Sequence, residues 1–405
     1  MKVAVIGGGA SGLVSAIYAA KAGNEVILIE RNNNLGKKLL ITGNGRCNYF
    51  NSDINLKHYY SEDIDILSKI INEENETEFL SFFDSIGITP KIKNGYYYPM
   101  SNKAVSVRDA LVLECKMLGV EIITDFKVDN IIKKDIFLIS SSDKKIKADK
   151  VILALGSKAY PKTGSDGKGY EIALSLGHSI NKVLPSLTAL SADESYLKLW
   201  KGARSEVKLS LYENDKLIKI EEGEAQFTDY GISGICAFNL SSLITKGLYL
   251  NKKEEICINF IPFTNSKNID DVIIYLNKRS QILSERTVFE LLEGLLDYKL
   301  INAIIKKSKI DPDKNYQNLS KKEIYRLATN LYSFKINIVS TKSFENAQVC
   351  TGGVKLSEIN PKTMESLIVP NLYIIGELLD VNGDCGGYNL AFAFISGMLA
   401  GKGTK

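Results

Sequence analysis

The chain has 405 residues, long for one compact domain and comfortable for two or three. An apolar share of 45% and a charged share of 24% are those of an ordinary globular protein, so nothing compels disulfide or metal staples. A net charge of +4 is only mildly basic, which permits a polyanionic partner without demanding one.

Lys2–Ile6 is a short apolar run suited to a buried parallel strand. The turn Gly7–Gly12 follows, then a helix of small and apolar residues over Leu13–Ala22, then a strand over Glu25–Ile29 that closes at Glu30. This is a β-α-β unit. A second glycine-rich, basic loop runs from Gly36 to Asn48. Asp63–Gly87 and Ser106–Leu118 read as helical, Val120–Thr124 and Lys127–Lys133 as strands, and Lys150–Leu155 as a central strand stopped by Gly156. Around Pro185 the character changes. From about Ala192 to Phe263 the pattern alternates as β-structure does, with strands at Glu206–Tyr212, Lys216–Glu221 and Glu255–Ile261. Asn268 to Leu331 turns helical and charged, and Phe334–Ser340 returns as a strand. The last segment resumes the first domain: an apolar strand over Asn371–Ile375, then Gly376-Glu377, and a final helix opened by Gly386-Gly387.

In Gly7-x-Gly9-x-x-Gly12, Gly7 permits the tight turn, Gly9 lets backbone approach a pyrophosphate, and Gly12 lets helix and strand pack closely. The helix start, with Ala10 and Ser11, offers free N–H groups and the positive end of its dipole to the phosphates. Glu30 stands close to the ~20 residues past the last glycine at which an acid meets the ribose hydroxyls. The chain then returns to the nucleotide at Ile374–Glu377 and Gly386–Asn389, and Val151–Gly156 looks like a second flavoprotein fingerprint. Three separated matches in this order point to FAD rather than NAD. Gly164-x-x-Gly167-x-Gly169 follows Pro161 and not a strand, so no second dinucleotide turn occurs. NAD(P)H, as reductant, is then expected only as a transient visitor.

Cys47, Cys115, Cys236, Cys257, Cys350 and Cys385 include no C-x-x-C pair, which argues against a dithiol reductase and for reduced thiols in a cytoplasmic protein. The two histidines, His58 and His178, stand near no cysteine pair, and no metal site is expected. Met1-Lys2 runs directly into a strand, so no signal peptide is expected. No apolar run approaches the ~20 residues of a membrane span; the longest, Leu390–Ala400, is broken by Ser396 and Gly397.

Further marks are Gly36–Asn48, Tyr98–Ala104, Thr163–Tyr170, Phe227–Gly234 and Gly383–Leu390. On these residues the sequence resembles, over essentially its whole length, the BaiN/YhiN-like flavoproteins, also described as aminoacetone oxidase-like FAD-binding proteins. The resemblance implies an α/β fold: a Rossmann-type FAD-binding domain with an inserted β-barrel-like domain and a small helical subdomain. The corresponding boundaries are 1–190 and 343–405 for the FAD-binding domain, 191–267 with 332–342 for the β part, and 268–331 for the helical part. It implies that Ser11, Glu30, Arg31 and Lys38 lie along the ADP half of FAD, with Val128 presenting backbone to the adenine. Gly376, Glu377, Asp380, Gly387, Tyr388, Asn389 and Leu390 would hold the ribityl and flavin, with Leu39, Gly43, Gly45, Arg46, Cys47, Asn48 and Gly156 also near the cofactor.

The final helix, with its N-terminus aimed at the flavin N1–C2=O edge, is expected to stabilise negative charge there, and Asn389 to donate to the same edge. Arg46 suits a phosphate or an anionic substrate as a bidentate donor. Cys47 reads either as a proton donor or as a small packing residue, the commoner use of a free cysteine; Cys385 reads the same way. Tyr230 belongs to the inserted module and reads as a substrate-side or interdomain packing residue. Cys47, Tyr230 and Tyr388 are the catalytic candidates. His58, in a polar stretch, is expected to be exposed, and His178, past a helix ending at Gly177, to interact with that helix's C-terminal dipole.

The leading expectation is an FAD-dependent oxidoreductase moving a hydride from NAD(P)H through flavin N5 to an activated C=C bond of a substrate, a small molecule or RNA. The family associations include reduction of bile acid intermediates, reduction of a uridine in large-subunit ribosomal RNA, and aminoacetone-type amine oxidation with dioxygen. For an RNA substrate, the insertion offers Lys252-Lys253, Lys278-Arg279, Lys306-Lys307, Lys309 and Lys321-Lys322, although these also read as a solvated helical surface. A flavin-dependent redox sensor without turnover is the remaining reading.

Overall fold

The computed structural model describes residues 1–142 and 144–405. They divide into two compact units, Met1–Leu184 with Gln348–Lys405, and Pro185–Ala347. In the first unit, five strands form a parallel sheet in the order Leu372–Ile374, Lys150–Leu153, Lys2–Ile6, Glu25–Ile29, Glu121–Ile123. Val5 sits opposite Ile152 on one side and Leu28 on the other. Val3–Ile6 and Val151–Leu153 are buried without alternation, as strands covered on both faces are.

The helix Ala10–Lys21 leaves the first strand and packs on the C-terminal helix Tyr388–Gly403. A Cβ at Gly397 would lie 2.4 Å from the Ser11 carbonyl oxygen, and one at Gly401 would lie 2.6 Å from that of Ser15. The two glycines therefore set how closely these helices approach. The expected helix over Asp63–Gly87 is two helices, Ile64–Leu67 and Glu73–Ser85. The break falls at Asn72, whose side chain accepts from Asn75 N at 3.0 Å and so starts a new helix rather than continuing the old one. Asn130–Lys133, Phe137–Ser140 and Lys145–Ala148 add a small antiparallel sheet.

The second unit is a closed six-stranded barrel. Its order is Leu190–Ala192, Gly231–Ser233, Lys216–Thr228, Arg204–Glu213, Glu254–Asn259, Phe334–Thr341. Trp200, Phe227, Phe260 and Phe334 cluster in its core. One expectation fails here. The stretch read as continuously β contains the helix Ile235–Tyr249, with Ala237, Leu240, Ser241 and Ile244 buried at helical spacing. A period near 3.6 thus ran inside a segment read at period 2. The helices Ile269–Ile282, Val288–Leu292, Tyr298–Ser308 and Lys321–Tyr332 make up the helical part, two of them opened by capping boxes at Thr287 and Ser320. Among the described residues no helix is long and apolar enough to cross a membrane.

Candidate active site

The first turn is built by exclusion. A Cβ at Gly7 would lie 2.3 Å from the Ala154 carbonyl oxygen, at Gly12 1.8 Å from that of Gly7, and at Gly8 2.4 Å from Leu35. Gly9 differs, with nothing within 4 Å of its Cβ position. The turn is held from the second strand: Gly8 N donates to Glu30 Oε2 at 2.8 Å, and Asn32 N to Glu30 Oε1 at 2.8 Å. Among the described residues no side chain caps the helix that starts at Ala10, and its first turn holds no acid. Its leading amides are left for an anion.

The Gly36–Asn48 loop reaches the C-terminal return. Lys38 Nζ pairs with Glu377 Oε2 at 2.6 Å, and Ser157 Oγ donates to the same oxygen at 3.3 Å. Gly376 has φ +65°, and its Cβ would lie 2.7 Å from Ser11 Oγ; Gly156 has φ +69°, and its Cβ would lie 2.8 Å from Ser165 Oγ. Ser11, Lys38, Gly156, Gly376 and Glu377 therefore converge beyond the carboxyl ends of the parallel strands, where open α/β sheets bind ligands. Arg31 turns elsewhere: its guanidinium holds the Gly164 carbonyl and the Asp166 carboxylate. Asn32 Nδ2 donates to the Thr163 carbonyl at 3.1 Å, so this pair clips the Thr163–Gly167 loop to the second strand. Val128 is buried nearby in sequence, past Phe126, whose N donates to the Glu30 carbonyl.

Leu39 is buried within the loop, while Gly43 and Gly45 take positive φ. Arg46 lies over the Tyr98 ring at 5.1 Å and donates to the Gly43 carbonyl. The Asn48 amide donates to the carbonyls of Phe50 and Tyr97 and is spent on the backbone. Cys47 is fully buried, and burial pushes its thiol up to about 12, a contact with Thr42 opposing. A thiol in that state stays protonated and packs.

At the C-terminal turn, Asn51 Nδ2 donates to the Gly386 carbonyl at 3.0 Å, and a Cβ at Gly387 would lie 2.6 Å from the Phe50 carbonyl oxygen. The helix from Tyr388 also starts without a side-chain cap, among the described residues. Tyr388 is buried, and Leu390 is half-buried. Asn389 departs from expectation. Its amide bridges Gly383, accepting from N and donating to O at 2.8 Å each, which fixes the turn instead of leaving a donor for a ligand. Asp380 is buried with Oδ1 lacking a partner, its other oxygen accepting from Asn181 Nδ2 at 2.7 Å.

Both histidines are also placed differently from expectation. The side chain of His58 is only 22% exposed, because it is held between Asp53 and Asp384 and stacked on Tyr388. His178 is buried; its Nδ1 lies 2.8 Å from Glu358 Oε2 and its Nε2 2.9 Å from Ser366 Oγ, so carboxylate and hydroxyl replace a helix dipole. Burial opposes the ionised form of Glu358, but hydrogen bonds from Ser179 and His178 hold its carboxyl below the usual range. Tyr230 belongs to the other unit, under Lys342 Nζ at 3.7 Å. Asn51, His58, Tyr60 and Asp384 escaped the sequence reading as a cluster, since two-residue strands leave no period to detect. Among the described residues, no group of His, Cys, Asp and Glu is arranged to hold a metal.

Two uncapped helix starts, glycines whose neighbours bar a side chain, the open space at Gly9 and an unpartnered buried Asp380 oxygen fit a dinucleotide cofactor. A family model described as HI0933-like protein Rossmann domain matches residues 1–403. The chain belongs to that family. This HI0933-like protein is an FAD-dependent oxidoreductase. It is 36% identical over 404 residues to a 3-dehydro-bile acid delta(4,6)-reductase of Clostridium scindens, covering 99% of this chain and 98% of that one. It is 28% identical over 397 residues to a ribosomal RNA dihydrouridine synthase of Haemophilus influenzae, covering 97% and 95%. A flavocytochrome c3 fumarate reductase structure shares the fold, with TM-score 0.51 and 14% identity, covering 100% of this chain and 78% of that one.

Proposed function

We propose that this flavoenzyme reduces a carbon–carbon double bond conjugated to a carbonyl in a steroid-like small molecule, with NAD(P)H as reductant. The carrying observation is the end-to-end match, at 36% identity, to a reductase named for a 3-dehydro-bile acid. FAD, when bound, supplies hydride transfer through N5. The residues of the chain divide the work of holding it. The amides of Ala10–Gly12 would take the pyrophosphate, Glu30 the ribose, and Lys38 with Glu377 the stretch between the two ends. The start of the final helix would lie on the flavin side and, with Tyr388, exclude water there. The free state of all six cysteines supports a reducing, cytoplasmic setting.

The test is anaerobic. NADH and NADPH are added in turn to the yellow holoprotein, and a 3-oxo-4,6-diene steroid is then added to the bleached form. Bleaching by one nicotinamide and recovery of colour by the steroid are expected. Bleaching that only dioxygen reverses would sink the proposal in favour of an oxidase.

A second reading, uridine reduction in ribosomal RNA, is favoured by the 28% identical synthase. Several of the basic residues that would carry it are engaged inside the insertion. Arg279 donates to the Leu291 and Glu293 carbonyls, Lys252 pairs with Glu213, and Lys307 lies over Phe334 at 4.1 Å. An RNA enzyme would show salt-steep binding to ribosomal RNA fragments, with log affinity falling linearly in log salt.

A further inference from the structure

A two-residue ladder joins Tyr59–Tyr60 to Asn382–Gly383, with Gly383 opposite Tyr59. That register sets His58 against Asp384, whose N donates to the His58 carbonyl at 2.8 Å. The ring closes the contact: Nδ1 lies 3.1 Å from Asp384 Oδ2, and Nε2 3.0 Å from Asp53 Oδ2. Tyr60 donates to the other Asp384 oxygen at 2.8 Å, and Lys57 Nζ pairs with Asp53 at 2.9 Å. The imidazole stacks on Tyr388 with centroids 4.6 Å apart and planes at 22°. Tyr59 donates its hydroxyl proton to the Tyr388 carbonyl, at 3.0 Å. Tyr388 opens the helix whose start has no side-chain cap.

A neutral imidazole has one N–H and one lone pair, so it can satisfy only one of two ionised carboxylates. An imidazolium donates to both. With His58 charged, the charges of Asp53, Lys57, His58 and Asp384 balance. With it neutral, the group carries one net negative charge beside the start of the final helix, and one of the two carboxylates loses the imidazole N–H, keeping Lys57 or Tyr60.

We propose that His58 is a positioning residue for the flavin: an imidazolium clamped by Asp53 and Asp384 and stacked on Tyr388, it holds the Gly383–Tyr388 loop and keeps the helix start electropositive. The inference rests on the reading that this helix start is the flavin side of the site. Adding electrons to the ring brings negative charge, so a positive neighbour favours reduction and a net negative one opposes it. Replacing His58 by an uncharged side chain should therefore make reduction harder.

The experiment measures the midpoint potential of the bound flavin at one fixed pH in the wild-type, His58→Gln and Asp53→Asn holoproteins. His58→Gln takes a positive charge from the cluster and is expected to lower the potential; Asp53→Asn takes a negative one and is expected to raise it. His58→Gln is also expected to bind FAD about tenfold more weakly, from a lost charged hydrogen bond. Equal potentials in the wild type and His58→Gln would overturn the proposal. Should His58→Gln not fold, an Asp53→Asn potential equal to that of the wild type does the same. A protein that neither carries nor takes up FAD would overturn the cofactor reading as well, which separates the two failures.

Discussion

Gly9 and Gly12 belong to one motif yet serve different purposes, and the difference can be measured. A Cβ at Gly12 would lie 1.8 Å from the Gly7 carbonyl oxygen, where backbone must move; at Gly9 it would meet nothing within 4 Å. Gly9 also has φ −83°, which alanine adopts without strain. Gly12→Ala is therefore expected to destabilise even the FAD-free protein, by about 1–3 kcal/mol as an overpacked site does. Gly9→Ala should leave the FAD-free melting temperature nearly unchanged and, if the open space it fills is the proposed phosphate approach, weaken FAD binding at least tenfold. Calorimetry of the FAD-free proteins and FAD titration separate the two; equal melting with equal FAD affinity for Gly9→Ala would remove the pyrophosphate from this turn. Much of this was legible at the residue scale, since the glycine spacing and Glu30 both bear on close backbone approach. The role of Glu30 in pinning Gly8, and the diversion of Arg31 to Asp166, were not legible. The first is set by how the second strand closes on the turn, and the second by where a loop 135 residues distant settles.

At the scale of elements, the barrel carries a charge conflict. Glu213 and Glu254 are direct cross-strand partners, a like-charge pair that destabilises a ladder. Lys252 pairs with Glu213 at 2.8 Å, while Glu254 is buried with neither carboxylate oxygen bonded and Oε1 tight against Gly247. Burial, with Glu213 adding to it and Lys252 opposing, pushes the Glu254 carboxyl up to about 7. A carboxyl raised on folding contributes its stability below its unfolded value, and that contribution is lost as pH climbs through about 7. Glu254→Gln cannot ionise, so the variant should gain on the wild type from pH 5 to pH 8, by on the order of 2 kcal/mol. Melting curves at the two pH values test this; a constant difference between the proteins would place the ionisation elsewhere. The sequence could not show this pair, because it follows from register. For the same reason it yielded the strands with strong apolar runs and missed both the Ile235–Tyr249 helix and the short ladder beside His58.

For the whole molecule, the insertion begins and ends at one place. Leu190 pairs with Thr341, and Lys342 N donates to the Ala189 carbonyl at 2.9 Å, so the chain enters and leaves the barrel side by side. Pro185–Ala347 has its own core, built on the barrel aromatics and the buried faces of four helices. The residues proposed to hold FAD, from Gly7–Gly12 and Lys38 to Gly376–Leu390, lie in the other unit, whose parallel sheet is completed by strands from both sides of the insertion. Composition alone suggested two or three domains, and the pattern change near Pro185 located the first boundary. That the ends meet required the strand pairing. Two proteins follow from this arrangement. Residues 185–347 expressed alone should unfold cooperatively, with an enthalpy on the order of 100 kcal/mol for a unit of that size. The complementary chain, with Leu184 and Gln348 joined by a short glycine linker, should still take up FAD. Excess FAD at about a hundredfold over its dissociation constant should then stabilise it by about 2.7 kcal/mol, while leaving the isolated insertion unmoved. FAD stabilising the isolated insertion, or no uptake by a joined chain that circular dichroism shows to be folded, would mean that the determinants of binding are not confined to the Rossmann unit.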